Sequence, residues 1–162
     1  MPDALDGFVV SVVRTEADLR DALAVRTRVF VQEQGVPIDL EVDDTDRAAL
    51  TRQDAVYVIG RLRGDAVATA RLLFEAHGEP AAMPHIGRVA VLAEHRGNGF
   101  GAAIMRALHD AARTRGASAV TLAAQVHAIP FYERLSYVAR GPLFLDAGIE
   151  HRDMDRRLDT RD

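Results

Sequence analysis

The sequence predicts a mixed α/β (α+β) fold on a largely antiparallel sheet, and three observations carry that prediction. Short apolar runs such as Phe8–Arg14, "FVVSVVR", alternate along the chain with stretches that are apolar at helical spacing. Two of the runs, "DAVYVIGRL" and "DAVATARLLFE", flank Arg63-Gly64-Asp65 and read as a β-hairpin. A glycine cluster, Arg96–Gly101 "RGNGFG", stands between an apolar strand and an amphipathic helix.

Taken in order, Phe8–Arg14 is the first strand. Thr15 and Asp18 have the Ser/Thr-x-x-Asp/Glu spacing of a capping box, which opens a helix through "EADLRDALAVRTRVFV". Leu19, Leu23, Arg26 or Thr27, and Phe30 share one face of it. A long acidic connection follows, "QEQGVPIDLEVDDTDRAALTRQ", whose carboxylates are expected to form mostly a solvated face. After the hairpin come a loop, "AHGEPAAMP", and a strand, "HIGRVAVL". The end of that strand, Val89–Leu92, is apolar on both faces, as a central strand is. The glycine cluster feeds a helix to about Arg115 with Ile104, Leu108 and Ala111 or Ala112 inward. "ASAVTLAAQ" is a strand, and Pro130 suits the first turn of a helix in "IPFYERL". "SYVARG" and a segment near "HRDMDRRL" close the sheet. Arginines and aspartates interleave in the last segment, the pattern of a charge-balanced edge strand running into a frayed terminus. No repeat or linker divides the chain. A single domain over residues 1–162 is expected, with its core at roughly 8–158.

Composition removes several chemistries. The chain has no cysteine, which excludes disulfides, thiolate metal sites and a cysteine nucleophile. All 20 Lys+Arg residues are arginine, so neither a P-loop lysine nor a Schiff-base lysine exists. A net charge of −4 argues against nucleic acid as the main partner. The 6 histidines show no H-E-x-x-H and no paired spacing, so no metal is expected. Nothing resembles a signal peptide and the apolar runs are too short to cross a bilayer. A soluble, cytoplasmic protein without a membrane partner is the expectation.

Free N–H groups at a helix start, with the positive end of its dipole, attract anions, and glycines let the anion come close to the main chain. Arg96 adds a charge-assisted contact. The plain alternative is a tight strand-to-helix turn, for which one glycine would suffice. Among phosphate ligands, the Walker A pattern fails because no Gly-Lys-Ser/Thr follows. Gly97-x-Gly99-x-x-Ala102 matches the dinucleotide fingerprint, but no carboxylate ends the next strand to hold a ribose.

Arg96-x-x-Gly99-x-Gly101 resembles the acyl-CoA-binding signature of the GNAT superfamily of N-acetyltransferases. "RVAVL" stands where that superfamily keeps its pantetheine-pairing strand, and "AQVHAIPFYERLSYV" resembles its second motif. "RTRVFVQEQGVP", "EVDDTD", "FYERLSY" and "FLDAGIEHRDM" resemble the ElaA-like or YjcF-like branch, and the likeness covers almost the whole chain. Gln125 stands where many members carry Asn, and Ser136 replaces the usual Gly before Tyr137. The resemblance implies a GNAT fold of six or seven strands flanked by about four helices. It also implies that acetyl-CoA is the co-substrate, held by Val89, Ala90, Val91, Arg96, Gly97, Asn98, Gly99, Phe100, Gly101, Ala102, Gln125 and Tyr132.

Without cysteine, the implied reaction is direct attack of a primary amine on the thioester in a ternary complex. The resemblance assigns the oxyanion to a main-chain N–H within Val89–Val91 and the departing thiolate to the Tyr132 phenol. For the base, Glu33 is preferred because "FVQEQGVP" follows the first helix, where the acceptor wall is built. His151, within the branch signature, is a second candidate and His85 a third. The acidic connection hints at a cationic small-molecule acceptor, with a protein amine as the other option. Pairing through edge strands in some members leaves a homodimer open. A non-catalytic acyl-CoA sensor and, third, a dinucleotide-dependent oxidoreductase are the competing readings.

Overall fold

The computed structural model describes residues 5–76 and 79–159. Strands β1 (Phe8–Val12), β2 (Ala55–Leu62), β3 (Asp65–Ala76), β4 (Glu79–Val91), β5 (Ala119–Gln125), β6 (Val138–Asp146) and β7 (Ile149–Arg157) form one 7-stranded sheet. Their order is β1-β2-β3-β4-β5-β7-β6. Every neighbouring pair is antiparallel except β4 and β5. Two parallel strands need a crossover, and helix α4 (Phe100–Thr114) supplies it. The mixed, mostly antiparallel sheet expected from the sequence is what forms.

Strand β2 shows how both faces fill. Tyr57 and Ile59 pack with Ala22 of helix α1 (Glu16–Arg26), while a Cβ at Gly60 would lie 3.2 Å from Ile104 of α4. Successive side chains of a strand point to opposite faces, so α1 and α4 cover opposite sides of the sheet.

The Thr15 side chain caps α1 by accepting from the Asp18 N–H at 3.1 Å. The reciprocal half of the expected box goes elsewhere: the Asp18 carboxylate takes the Arg14 N–H at 3.4 Å. The buried face of this helical stretch is Ala22, Val25, Arg26 and Val29, with Leu19, Leu23 and Phe30 only half-buried. Small residues at that spacing let the helix lie close to the sheet. From Thr27 the helix widens into a π-helical segment, Thr27–Glu33, closed by Gln34 N–H donating to Val29 C=O at 3.1 Å. The extra residue per turn swings Glu33 and Gln34 toward the middle of the sheet, where π-turns commonly serve function.

The acidic connection is a solvated face only in part. It forms two short helices, α2 (Ile38–Glu41) and α3 (Asp44–Arg47), which turn Glu41, Asp43 and Asp46 inward and leave Asp39 and Asp44 exposed. Arg26, Glu41 and Asp46 are 1%, 2% and 1% exposed. Arg26 donates to Glu41 at 2.9 Å and to Asp46 at 2.7 Å, Arg71 donates to Asp43 at 2.7 Å and Asp46 at 2.9 Å, and the Tyr57 hydroxyl donates to Asp46 at 2.6 Å. Each charge is met by an opposite one, the condition on which buried ions are tolerated.

Two further expectations change. The loop expected at 76–84 is largely strand, with Glu75↔Pro80 and Ala76↔Glu79 paired; His77 and Gly78 lie outside the described residues. The C-terminal segment is not an edge: β7 lies between β5 and β6, and β6 is the edge strand, carrying exposed Val138, Leu143 and Leu145. No helix among the described residues is long and apolar enough to cross a membrane.

Candidate active site

Strands β4 and β5 pair at only two positions, His85↔Thr121 and Ile86↔Leu122, and then diverge. The cause is a bulge in β4. Thr69 pairs with Ala90 and Arg71 with Gly87, so Arg88 and Val89 together oppose Ala70. Arg88 takes φ +53°, a left-handed conformation costly for a residue with a Cβ. The divergence opens a groove of about 810 Å³ between the two strands.

At one end of the groove, the Leu92 N–H donates to Val67 C=O of β3 at 2.9 Å. Backbone groups alternate sides along a strand, so those of Val91 point away from β3, into the gap. The Val91 carbonyl accepts from Arg96 Nε there at 2.9 Å. Gly99 (φ +84°) precedes α4 with no side-chain cap, leaving the first N–H groups of α4, at Phe100, Gly101 and Ala102, without intrahelical partners.

The three glycines answer to different demands. Gly97 and Gly99 have positive φ, and nothing stands within 4 Å of where a Gly97 Cβ would be. Gly101 is needed for packing: its Cβ would meet Phe131 at 3.2 Å and Val91 at 3.6 Å. The Phe100 ring is buried and stacks on Phe8 at 4.1 Å, anchoring the helix start to β1. Asn98 Nδ2 donates to His95 C=O at 3.2 Å, bracing the loop. Ala90 faces the core, while Val89, Val91 and Ala102 line the groove.

The remaining candidates gather along the same cavity. Arg96 clasps Glu33 through two hydrogen bonds of 2.7 and 2.9 Å. These bonds hold the Glu33 carboxyl below the usual carboxylate range, against a smaller opposing effect of burial. Gln125 and Gln34 exchange amide hydrogen bonds at 2.8 and 3.0 Å. Tyr132 is buried edge-on between Phe131 and Tyr137, at 5.0 and 5.7 Å between ring centres. Its phenol has no hydrogen-bond partner among the described residues, and burial raises its pKa, so it keeps its proton. His151 Nδ1 lies 2.7 Å from the Ile149 carbonyl. A carbonyl only accepts, so Nδ1 carries a hydrogen toward it, and Nε2 is the ring nitrogen without a partner among the described residues. His85 stands at the rim, solvent-accessible yet with enough protein around it that desolvation, then Arg71, lowers its pKa.

Sequence reasoning singled out neither Gln34 nor Arg88. A glycine inside an apolar strand marks a bulge, so Gly87-Arg88 was the available signal for the second. Nothing local marks Gln34, whose partner lies 91 positions away.

Comparison with known proteins agrees with this geometry. The family described as Acetyltransferase (GNAT) domain matches residues 51–158. The chain belongs to that family and is an acyl-CoA-dependent N-acyltransferase. Within it the chain is of the ElaA/YjcF type. It is 36% identical over 146 residues to the uncharacterized N-acetyltransferase YjcF of Bacillus subtilis (strain 168), covering 88% of this chain and 95% of that one. The crystal structure of Escherichia coli ElaA superposes with a TM-score of 0.79 at 25% identity, over 92% of this chain and 99% of that one. An acyl-CoA N-acyltransferase from Pseudomonas aeruginosa gives 0.78 at 30% identity over the same shares.

Proposed function

We propose that the chain transfers an acetyl group from acetyl-CoA to a primary amine by direct attack in a ternary complex. The observation that carries this reading is the gap between β4 and β5 ending on the uncapped start of α4. The N–H groups at Phe100–Ala102 and the open space at Gly97 suit a pyrophosphate, and Arg96 stands beside them. The free edge of β4 at Val89–Val91 suits an amide-bearing pantetheine arm.

The amine nitrogen bonds to the acyl carbon as the C–S bond breaks. One proton leaves the amine, and one reaches the departing sulfur. A main-chain N–H within Val89–Val91 stabilises the oxyanion, and Tyr132, protonated because it is buried, delivers the proton to sulfur. His151 is the better-disposed base, since its Nε2 has no partner among the described residues, whereas the Glu33 carboxylate is engaged by Arg96.

The test is calorimetric titration with acetyl-CoA, acetyl-pantetheine, ATP and NADH. Acetyl-CoA is expected to bind at micromolar concentration, and acetyl-pantetheine, which lacks the pyrophosphate, at least about tenfold more weakly. Equal binding of the two, or preference for NADH, overturns the reading.

A further inference from the structure

Of the carboxylates on α2, α3 and the turn between them, Glu41, Asp43 and Asp46 pair inward with Arg26 and Arg71, while Asp39 and Asp44 are exposed and do not line the groove. What faces the groove from β4 is cationic. Arg88 lines it, with a side chain 27% exposed. Its Nε and Nη2 each donate to the Glu41 carbonyl at 3.1 Å, and Nη2 reaches the Leu40 carbonyl at 3.3 Å. Nε also lies 3.2 Å from Glu41 Oε1, an oxygen that Arg26 already uses, and the Asp43 carboxylate stands off at 3.8 Å. Nη1 has no acceptor among the described residues.

We propose that Arg88 Nη1, with His85 beside it, receives a carboxylate of the acceptor, so that the acceptor is an amino acid rather than a simple amine or polyamine. The inference rests on the acetyl-transfer reading above. Carbonyls hold the guanidinium by two of its nitrogens and leave the third unengaged, and an arginine fixed in this way is suited to a carboxylate. The local field points the same way. Burial, then Arg71 and Arg26, lower the pKa of Arg88 despite Glu41 and Asp43. Burial, Arg71 and Arg88 lower that of His85 against the opposing Asp153. Across from it stand His151 and Asp146, which suit the amino end, and Phe30, Val36 and Leu40 offer an apolar wall for a side chain.

The specificity follows from what an analogue leaves unmade. An amide or a decarboxylated amine would leave Arg88 facing an uncharged group, at a cost of about tenfold to a hundredfold in kcat/KM. The measurement uses acetyl-CoA with each proteinogenic L-amino acid, set beside its α-amide and its decarboxylated counterpart. Released CoA thiol is read with a thiol reagent, and the cysteine-free chain adds no background.

Turnover of one or more amino acids at least tenfold above their partners, with that ratio falling toward one in Arg88→Gln, is the expected result. Equal or better use of the amides and decarboxylated amines overturns the proposal. So does an unchanged ratio in Arg88→Gln, or acetyl-CoA binding with no turnover of any amino acid. The paired comparison on the wild-type protein stands alone if the variant fails to fold. Loss of the underlying reading would register separately, as absence of acetyl-CoA binding in the titration.

Discussion

Glu33 and Arg96 form a two-pronged ion pair at the groove, with Nη1 and Nη2 of the arginine 2.7 and 2.9 Å from the two carboxylate oxygens. One partner ends the π-helical turn and the other opens the glycine loop, so the pair ties the α1 side of the sheet to the start of α4. Both side chains are roughly two-fifths exposed, at 39% and 44%, which makes the pair weak enough for a phosphate to displace. In the proposed acetyl-CoA site, Glu33 would compete with the pyrophosphate for Arg96. Glu33→Gln is expected to tighten acetyl-CoA binding by up to about fivefold, measured by titration. Weaker binding would assign the pair to holding the loop in place instead.

Tyr132→Phe separates chemistry from binding. The phenol has no hydrogen-bond partner among the described residues, so removing it leaves the packing against Phe131 and Tyr137 intact. The variant is expected to keep its melting temperature and its acetyl-CoA Kd while kcat falls about a hundredfold. An unchanged kcat would mean that the thiolate finds its proton elsewhere.

Arg26→Met tests the buried ion cluster. It leaves Glu41 with only the partly exposed Arg88, and Asp46 with Arg71, Tyr57 and the Asp43 N–H. Breaking a buried pair in this way costs about 3–5 kcal/mol, readable as a lower urea midpoint at neutral pH. A cost under 1 kcal/mol would show that water reaches the cluster.

The same cluster sets the acid limit of stability. Burial alone would raise the Asp46 pKa, but hydrogen bonds and charge from Arg26, with the Tyr57 hydroxyl and the Asp43 N–H, win and hold it far below the usual range. A carboxylate depressed in the folded state contributes its stability above its unfolded pKa of about 3.9 and loses it as pH falls toward the folded value. Urea midpoints are therefore expected to hold down to about pH 4 and to drop steeply below it. A flat profile down to pH 2 would contradict that assignment.

Gly60→Ala addresses the seat of the glycine loop from a distance. A Cβ there would sit 2.7 Å or less from the Phe8 ring, and that ring stacks on Phe100 at the first turn of α4. Overpacking of this kind costs about 1–3 kcal/mol, and thermal unfolding would reveal it. A neutral substitution would mean that Phe8 can leave Phe100 without loss.

The elements and the glycine loop were legible because their signals are local. Alternation marks β2 and β3, and Gly64 supplies the left-handed turn residue between them. An apolar strand running into clustered glycines marks the start of α4. The inward pairing of Glu41, Asp43 and Asp46 was not legible. Their counter-ions, Arg26 and Arg71, stand up to 28 positions away, and a run of carboxylates looks alike whether it faces water or arginine. Nor was the widening after Arg26, which changes hydrogen-bond partners without changing residue type. The role of Arg88 stayed hidden because it depends on a bulge, and a bulge is a relation between two strands.

Two rungs join β4 to β5, so the sheet is in effect two plates on a narrow hinge: β1 to β4 on one side, β5, β7 and β6 on the other. A ligand lying along the open edge of β4 occupies the place where a continuous sheet would have its next rungs. Under the proposed function, part of the scaffold would then be completed by the molecule the protein consumes. On the proposed reading, each turnover would dismantle that brace, and the plates would regain their freedom at the moment the product must leave.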